Sequence, residues 1–425
     1  MTEFTGPPDV TFVDASTRVD AALRPVDAEV VGVDVERADA DLYFRRAALI
    51  QVGIPGRCVL LDGTTMEAMP QLDDFLGPGR LAVLHAMEND LVPLAAKAVH
   101  PDRLADTAVA AALLGLPTGL VSLLAEVLDV HLDGDKNAFQ RADWAERPLP
   151  DDMAAYAAGD VVHLPALWSE LVDRLEASGR RTWYDEELTA RLNGMDDDQR
   201  DWTRVKGSGK LTPQERAVLK AVWEEREALA REHDIAPNRL VHDDVLRDLA
   251  TEPPRTEAQL VRRSRRRRSL LREHASRLLA AVEAGLDAPA QTSSSTRTRR
   301  RDDRDVYDAL RKRRAQVAED IGIDAGVLAP SRPLWQAVVG DPADASELCA
   351  LAGLSRWRSE LLAEPLWETY LDVRAQADHD GADGAGDATD GDATDDDATD
   401  GDATDADDVD GRGSGATTEA SSEVG

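Results

Sequence analysis

Early in the chain, short apolar runs alternate with polar breaks. Val30–Glu36, Ala48–Gly53, Cys58–Asp62 and Leu81–His85 are rich in Val, Leu and Ile and read as strands. Longer stretches with helical spacing follow, over about 87–99, 106–115, 118–128 and 150–177. Pro150 suits the first helical position of the last one, and Asp151 and Asp152 charge its first turn. Strands followed by helices predict an α/β unit, a mixed sheet flanked by helices.

Beyond residue 180 the pattern is helical. Residues 181–205 are polar and read as a linker, and a second block occupies 206–286. Its first helix carries a start signal: Thr212 as cap, Pro213 at the first position and Glu215 completing a capping box. A Ser/Thr-rich linker at 287–303 precedes a third helical block at 304–374, whose apolar positions include Val306, Leu310, Val317, Ile321, Leu334, Trp335, Trp357 and Leu361. The first block thus takes residues 1–180. From 375 to 425, Gly-Asp-Ala-Thr-Asp repeats cannot offset chain entropy, which predicts a disordered acidic tail.

Charge changes the picture less than its total suggests. The 425 residues carry a net charge of −33, yet residues 376–425 alone hold 17 acids against one arginine. Arginines cluster elsewhere, and only six of the 49 basic residues are lysines, a bias that GC-rich coding or salt adaptation also produces. No apolar run reaches the roughly 18 residues a membrane-spanning helix needs. The N-terminus lacks a basic region leading into an apolar one, and Cys58 and Cys349 have no Cys or His neighbours at metal spacing. A reducing, cytoplasmic setting without membrane contact is the expectation.

The candidate chemistry lies in carboxylates. On a strand, Asp34 and Glu36 share one face while Val31, Val33 and Val35 share the other. Alone, such a pair more often marks a strand running out to solvent. Two buried carboxylates repel each other, and divalent cations offset that cost. Asp90 follows the Leu81–His85 strand closely, where it can also serve simply to charge a helix's first turn. Tyr156 and Asp160, four residues apart, share a helix face, and the small Ala157, Ala158 and Gly159 let that helix approach the sheet. Asp106 reads as an N-cap. Together Asp34, Glu36, Asp90 and Asp160 suit two Mg²⁺ or Mn²⁺ ions about 3.5–4 Å apart, with Tyr156 orienting the attacking water.

This ordered set resembles ribonuclease D, in the DEDD superfamily of 3′→5′ exonucleases. The motifs are Asp34-Val-Glu36, His85-Ala-x-x-x-Asp90-Leu and Tyr156-x-x-x-Asp160, the last marking the tyrosine-bearing subclass. Leu49-Ile-Gln51, Asp106-Thr107, Lys136-x-x-x-Gln140-x-x-Asp143-Trp144 and Arg147-Pro148-Leu149-x-x-x-Met153 extend it over roughly residues 10–175. Val35 and Arg37 depart from the family's usual Thr and aromatic residue. The resemblance implies a ribonuclease-H-like fold and metal-dependent removal of nucleotides from RNA 3′ ends, with transfer RNA precursors as substrate, 5′-monophosphates as product and a monomeric enzyme. The second block, with Trp223, Arg226, Arg239 and Asp243, is similar to an HRDC domain. The third, with Leu328-Ala-Pro-Ser-Arg332 and Trp357-Arg358, resembles a diverged second one.

Within that frame Lys136, Gln140 and Trp144 are candidates for contacting terminal nucleotides, Lys136 through phosphate and Trp144 through base stacking, although core packing is the commoner role for such a Trp. His85 and His163 read as structural, and Gln51 as bonded to nearby backbone. Arg262, Arg263, Arg265, Arg266, Arg267 and Arg268 are candidates for RNA backbone contacts, as are the 297–301 and 311–314 clusters. A solvated surface or linker is the less favoured alternative for them. A DNA exonuclease, a binding protein with a degenerate site and an acidic scaffold are the competing functions. Helical domains after the first block disfavour the DNA enzyme, and four intact carboxylates disfavour the others.

Overall fold

A computed structural model describes residues 8–132, 139, 142–195, 201–263, 268–291 and 302–384. Six strands form one mixed sheet: β1 (Asp9–Val13), β2 (Val30–Arg37), β3 (Ala47–Ile54), β4 (Arg57–Asp62), β5 (Leu81–Leu84) and β6 (Leu104–Asp106), in spatial order β1-β4-β3-β2-β5-β6. β2 pairs antiparallel with β3 and parallel with β5, so it lies centrally. The alternation expected for β2 is realised. Val31, Val33 and Val35 pack with Ile50, Val52 and Leu61 under α1 (Ser16–Leu23), α2 (Pro70–Phe75) and α3 (Leu91–Ala95).

The opposite face, bearing Leu49, Leu60 and Val83, is covered by α4 (Thr107–Leu114), α5 (Leu120–Leu128), α6 (Asp151–Val162) and α7 (Leu164–Ala177). The single helix expected over 150–177 is thus two, broken at His163, where Pro165 at the start of α7 cannot donate a backbone hydrogen bond. Likewise 87–99 holds a 3₁₀ turn, Met87–Asn89, and then the short α3.

The expected linker at 181–205 contains a helix, α8 (Arg181–Met195), docked on the first block. Tyr184 is buried against Trp168, and its hydroxyl accepts the backbone N–H of Asp106 at 2.8 Å. The polar composition of α8 conceals a narrow stripe, Tyr184, Leu188 and Leu192, at helical spacing.

The next block, α9 (Pro213–Glu232), α10 (Pro237–Leu240), α11 (Asp243–Thr251), α12 (Glu257–Arg263), α13 (Arg268–Glu273) and α14 (Ala275–Asp287), has its own core around Val218, Val222, Leu246 and Leu278. The capping box forms: Thr212 and Glu215 exchange hydrogen bonds at 3.3 and 2.7 Å. This block meets the β2–β3 loop, where Asp234 accepts the N–H groups of Tyr43 and Phe44 and pairs with Arg46, and Arg239 pairs with Asp41.

The third block comprises α15 (Asp303–Ile321), α16 (Ala325–Leu328), α17 (Ser331–Gly340), α18 (Ala345–Leu351) and α19 (Arg356–Gly384), so its last helix runs past the expected end at 374. Rather than a body apart, it shares one apolar core with the α4–α8 layer. Trp357 stacks on Trp183 at 4.7 Å, and Arg358 pairs with Glu187 at 2.6 Å. Residues beyond 384 of the expected disordered tail lie outside those described.

Candidate active site

The site is built where β2 runs out of regular pairing. Asp34 faces Gln51 across the β2–β3 ladder, and the register shifts between Glu36 and Arg37, a bulge that frees the strand end at the cleft. From the layer above, α6 brings Tyr156 and Asp160. Its small Ala157 and Ala158 are fully buried, and glycines on the strands allow the close approach: a Cβ at Gly32 would lie 2.1 Å from the Val161 carbonyl oxygen. Asp34, Glu36 and Asp160 each offer an oxygen within 4.8 Å of the others. Asp90 is 3% exposed at the start of α3 and lines the same cleft of about 330 Å³, together with Tyr156, His85 and Asn89.

The electrostatics are those of crowded, partly buried carboxylates. Burial pushes Asp34 up to about 6, partly offset by a hydrogen bond from backbone at Val35. Burial and the neighbouring Asp34 and Asp160 charges push Glu36 up to about 9. Asp90 is raised by burial and by Asp34, Glu36 and Asp106, with Arg37 opposing. No ion pair joins Asp34, Glu36 or Asp90 to a basic side chain among the described residues. Oxygen donors at this spacing fit hard divalent cations. Burial and the Asp160 and Glu36 charges raise the Tyr156 phenol, which is hydrogen-bonded to Asp160, so it stays protonated at neutral pH and acts as a donor.

Supporting groups hold the Asp90 segment. Asp106 caps α4 as expected, accepting from Ala108 and Val109, but also accepts the N–H groups of Ala86 and Met87 at 3.2 and 2.8 Å. Ala86 is thereby fixed at φ 60°, a conformation costing a non-glycine residue roughly 1–2 kcal/mol. Tyr184 braces Asp106 in turn. His85 contacts Thr107 at 2.9 Å, and Thr107 donates to the Leu84 carbonyl. His163 sits at the α6–α7 junction.

Several expected contacts are revised. Trp144 is 2% exposed, its N–H donating to the Phe139 carbonyl, so it belongs to the core and has no face open to a base. Phe139 instead stacks on Tyr156 at 4.7 Å. Gln51, expected to bond backbone, is fully buried, and neither amide atom has a partner among the described residues. Arg263 is engaged within its own domain by the Asp248 carbonyl and Glu252, whereas Arg262 is exposed on α12. In the 311–314 cluster, Arg314 is buried and donates to the Ala329 carbonyl. Lys136, Gln140, Arg265, Arg266 and Arg267, the side chain of Arg268 and the 297–301 cluster lie outside the described residues.

A mixed sheet presenting acidic side chains beneath a Tyr-x-x-x-Asp helix defines a metal-dependent 3′-5′ exonuclease domain. A family model for 3′-5′ exonucleases matches residues 10–176, and one for HRDC domains matches 215–282. Ribonuclease D of a Jannaschia species is 30% identical over 342 residues, covering 74% of this chain and 83% of that protein. Ribonuclease D of Pseudomonas paraeruginosa is 34% identical over 54% of this chain and 62% of its own length. The crystal structure of Escherichia coli RNase D superposes with a TM-score of 0.70 at 26% identity, covering 87% of this chain and 99% of that one. The chain belongs to the ribonuclease D family. It is a 3′-5′ exoribonuclease dependent on divalent metal, with RNA as its substrate.

Proposed function

We propose that Asp34, Glu36, Asp90 and Asp160 hold two divalent ions, Mg²⁺ or Mn²⁺, and that Tyr156 positions the water that attacks the terminal phosphodiester. The observation carrying this reading is the convergence of three carboxylates within 4.8 Å in the cleft that Asp90 and Tyr156 also line. Bound there, such ions supply the positive charge that activates water and stabilises the leaving 3′-oxygen. Tyr156 contributes a directed hydrogen bond rather than a base, because its phenol keeps its proton. Asp106 and Tyr184 keep Asp90 in place, and Gly32 and Gly53 set the height of Asp160 above the sheet. Lys136 and Gln140 are assigned to the terminal nucleotides.

The domain reading is a nuclease domain at 1–180, an HRDC domain at 206–286 and a second HRDC-like block at 304–374, with 181–205 and 287–303 as connections and 375–425 as tail. The substrates are structured RNAs with 3′ extensions, transfer RNA precursors in particular, processed by a cytoplasmic monomer. Support comes from Escherichia coli RNase D, described as an exoribonuclease involved in structured RNA processing. The test is a labelled transfer RNA precursor with a 3′ trailer, incubated with Mg²⁺, with Mn²⁺ and with chelator. Stepwise shortening from the 3′ end to 5′-monophosphates, abolished by chelator and by Asp34→Asn, is expected. Endonucleolytic products, or equal trimming of a matched DNA strand, would contradict the reading.

A further inference from the structure

Gln51 lies within β3 on the sheet face that α6 covers, and the β2–β3 register sets it directly opposite Asp34. Directly opposed residues of an antiparallel pair share a face, with Cβ atoms about 4.5–5.5 Å apart. The same ladder pairs Glu36 with Leu49 and Gly32 with Gly53, so Gln51 is flanked on its own strand by an apolar leucine and by a glycine over which Val161 packs. On β4 its neighbour is Leu60. Leu49, Leu60 and the α6 residues Ala157 and Ala158 are all fully buried in the core on this face. Gln51 is as deeply buried, yet neither its Nε2 nor its Oε1 has a hydrogen-bond partner among the described residues.

A buried amide without partners costs stability, whereas an apolar side chain of similar size would carry no such cost among these neighbours. An orphaned amide at such a place calls for a reason. The polar side chains that the β2–β3 ladder sets nearest to it are Asp34, directly opposite, and Glu36, on the diagonal. Both belong to the carboxylate cleft. An amide N–H is a donor, and a carboxylate that ligates a metal keeps lone pairs for outer donors that fix its orientation. The last torsion of a glutamine is soft, so its amide can turn without moving the backbone. Resting on the metal-site reading above, we propose that Gln51 is a positioning residue: its side-chain N–H donates to Asp34 when that carboxylate holds a divalent ion, and the amide waits unpartnered until then. The core thus sacrifices some stability in the metal-free protein, and ion binding recovers it.

The test reads two quantities on the full-length protein without RNA: Mn²⁺ affinity by calorimetry, and the melting temperature in chelator. Wild type is compared with Gln51→Met, Gln51→Leu and Asp34→Asn. Gln51→Met keeps the bulk of the side chain and removes its donor. It lowers Mn²⁺ affinity by about tenfold to a hundredfold, the usual loss for an outer partner of a metal ligand. Its metal-free melting temperature equals or exceeds that of wild type, because an unpartnered buried amide has been removed. Gln51→Leu guards against a fit peculiar to methionine and moves both readouts the same way. A side chain with a merely structural role would give the opposite pattern. A lower metal-free melting temperature in both Gln51 variants would mean that the amide already has a partner, such as a buried water, and would overturn the proposal. Unchanged Mn²⁺ affinity in both would overturn it as well. Wild type that binds no Mn²⁺, or Asp34→Asn that binds it as wild type does, would instead refute the metal-site reading itself.

Discussion

Gly32→Ala is the substitution that most sharply separates this geometry from a mere list of acidic residues. The new methyl carbon would sit 2.1 Å from the Val161 carbonyl oxygen, 3.0 Å from its carbon and 3.1 Å from Leu164 Cβ. Backbone atoms of α6 cannot rotate away as a flexible side chain can, so the helix must withdraw by roughly 1 Å to restore normal contact. Gly53 offers no escape, since a Cβ there would already meet Val161 Cγ2 at 2.6 Å. Asp160 precedes Val161 and moves with it, out of its 4.8 Å grouping with Asp34 and Glu36. Overpacking of this kind costs about 1–3 kcal/mol of stability. A displacement of about 1 Å among catalytic groups costs about a hundredfold in turnover. Single-turnover cleavage of a labelled RNA, with Mn²⁺ binding followed by calorimetry and melting by circular dichroism, reads all three quantities. Gly79→Ala, where an added Cβ meets nothing within 4 Å, is the neutral control. A folded Gly32→Ala protein with turnover and metal affinity within twofold of wild type would refute the claim that α6 height sets the site.

Asp34→Asn and Asp160→Asn are expected to lower kcat by at least about a hundredfold while gel-shift affinity for RNA largely survives, and Tyr156→Phe to cost less, about tenfold, because the carboxylates remain. Divalent-ion affinity should rise with pH, by up to about tenfold per unit for each proton released, because Glu36, pushed up to about 9, must lose its proton to become a ligand; flat calorimetric affinity from pH 6 to 9 would contradict this. For the metal-free protein the sign follows from a raised carboxyl: its contribution is complete below the unfolded value near 4.3, and stability falls as pH rises through about 6 and then about 9. Thermal melts with and without Mn²⁺ measure it. Asp62 behaves oppositely. Burial raises it, yet the paired hydrogen bonds from Arg147, at 2.7 and 2.8 Å, and those from Thr64 leave it below its ordinary value. Its contribution is therefore present above about pH 4 and lost on acidification through the folded value, and Arg147→Ala should cost about 3–5 kcal/mol in urea melts at pH 7.

What could be read from the sequence was whatever a local period encodes. Val31, Val33 and Val35 against Asp34 and Glu36 gave both faces of β2, the four-residue step from Tyr156 to Asp160 gave one helix face, and Thr212, Pro213 and Glu215 marked the start of α9. β1 was missed because an edge strand with one buried residue shows little alternation, and β6 because three residues carry no period. The helix α8 was missed because its buried stripe is narrow and its remaining positions are polar. Trp357 and Leu310 were recognisable as core residues, but no pattern states which core they join; packing against Trp183 and its neighbours did. The same limit hides Asp106, whose capping role is local and whose hold on Ala86 and Met87 spans twenty residues of sequence.

Asp34, Glu36, Asp90 and Asp160 are proposed to form one binding site for a pair of divalent ions. Anomalous diffraction from crystals soaked in Mn²⁺ tests it most directly. Two peaks enclosed by those carboxylates in the wild type, with loss of at least one in Asp160→Asn, are predicted. A single peak, or manganese lodged elsewhere while these carboxylates stay bare, would contradict it.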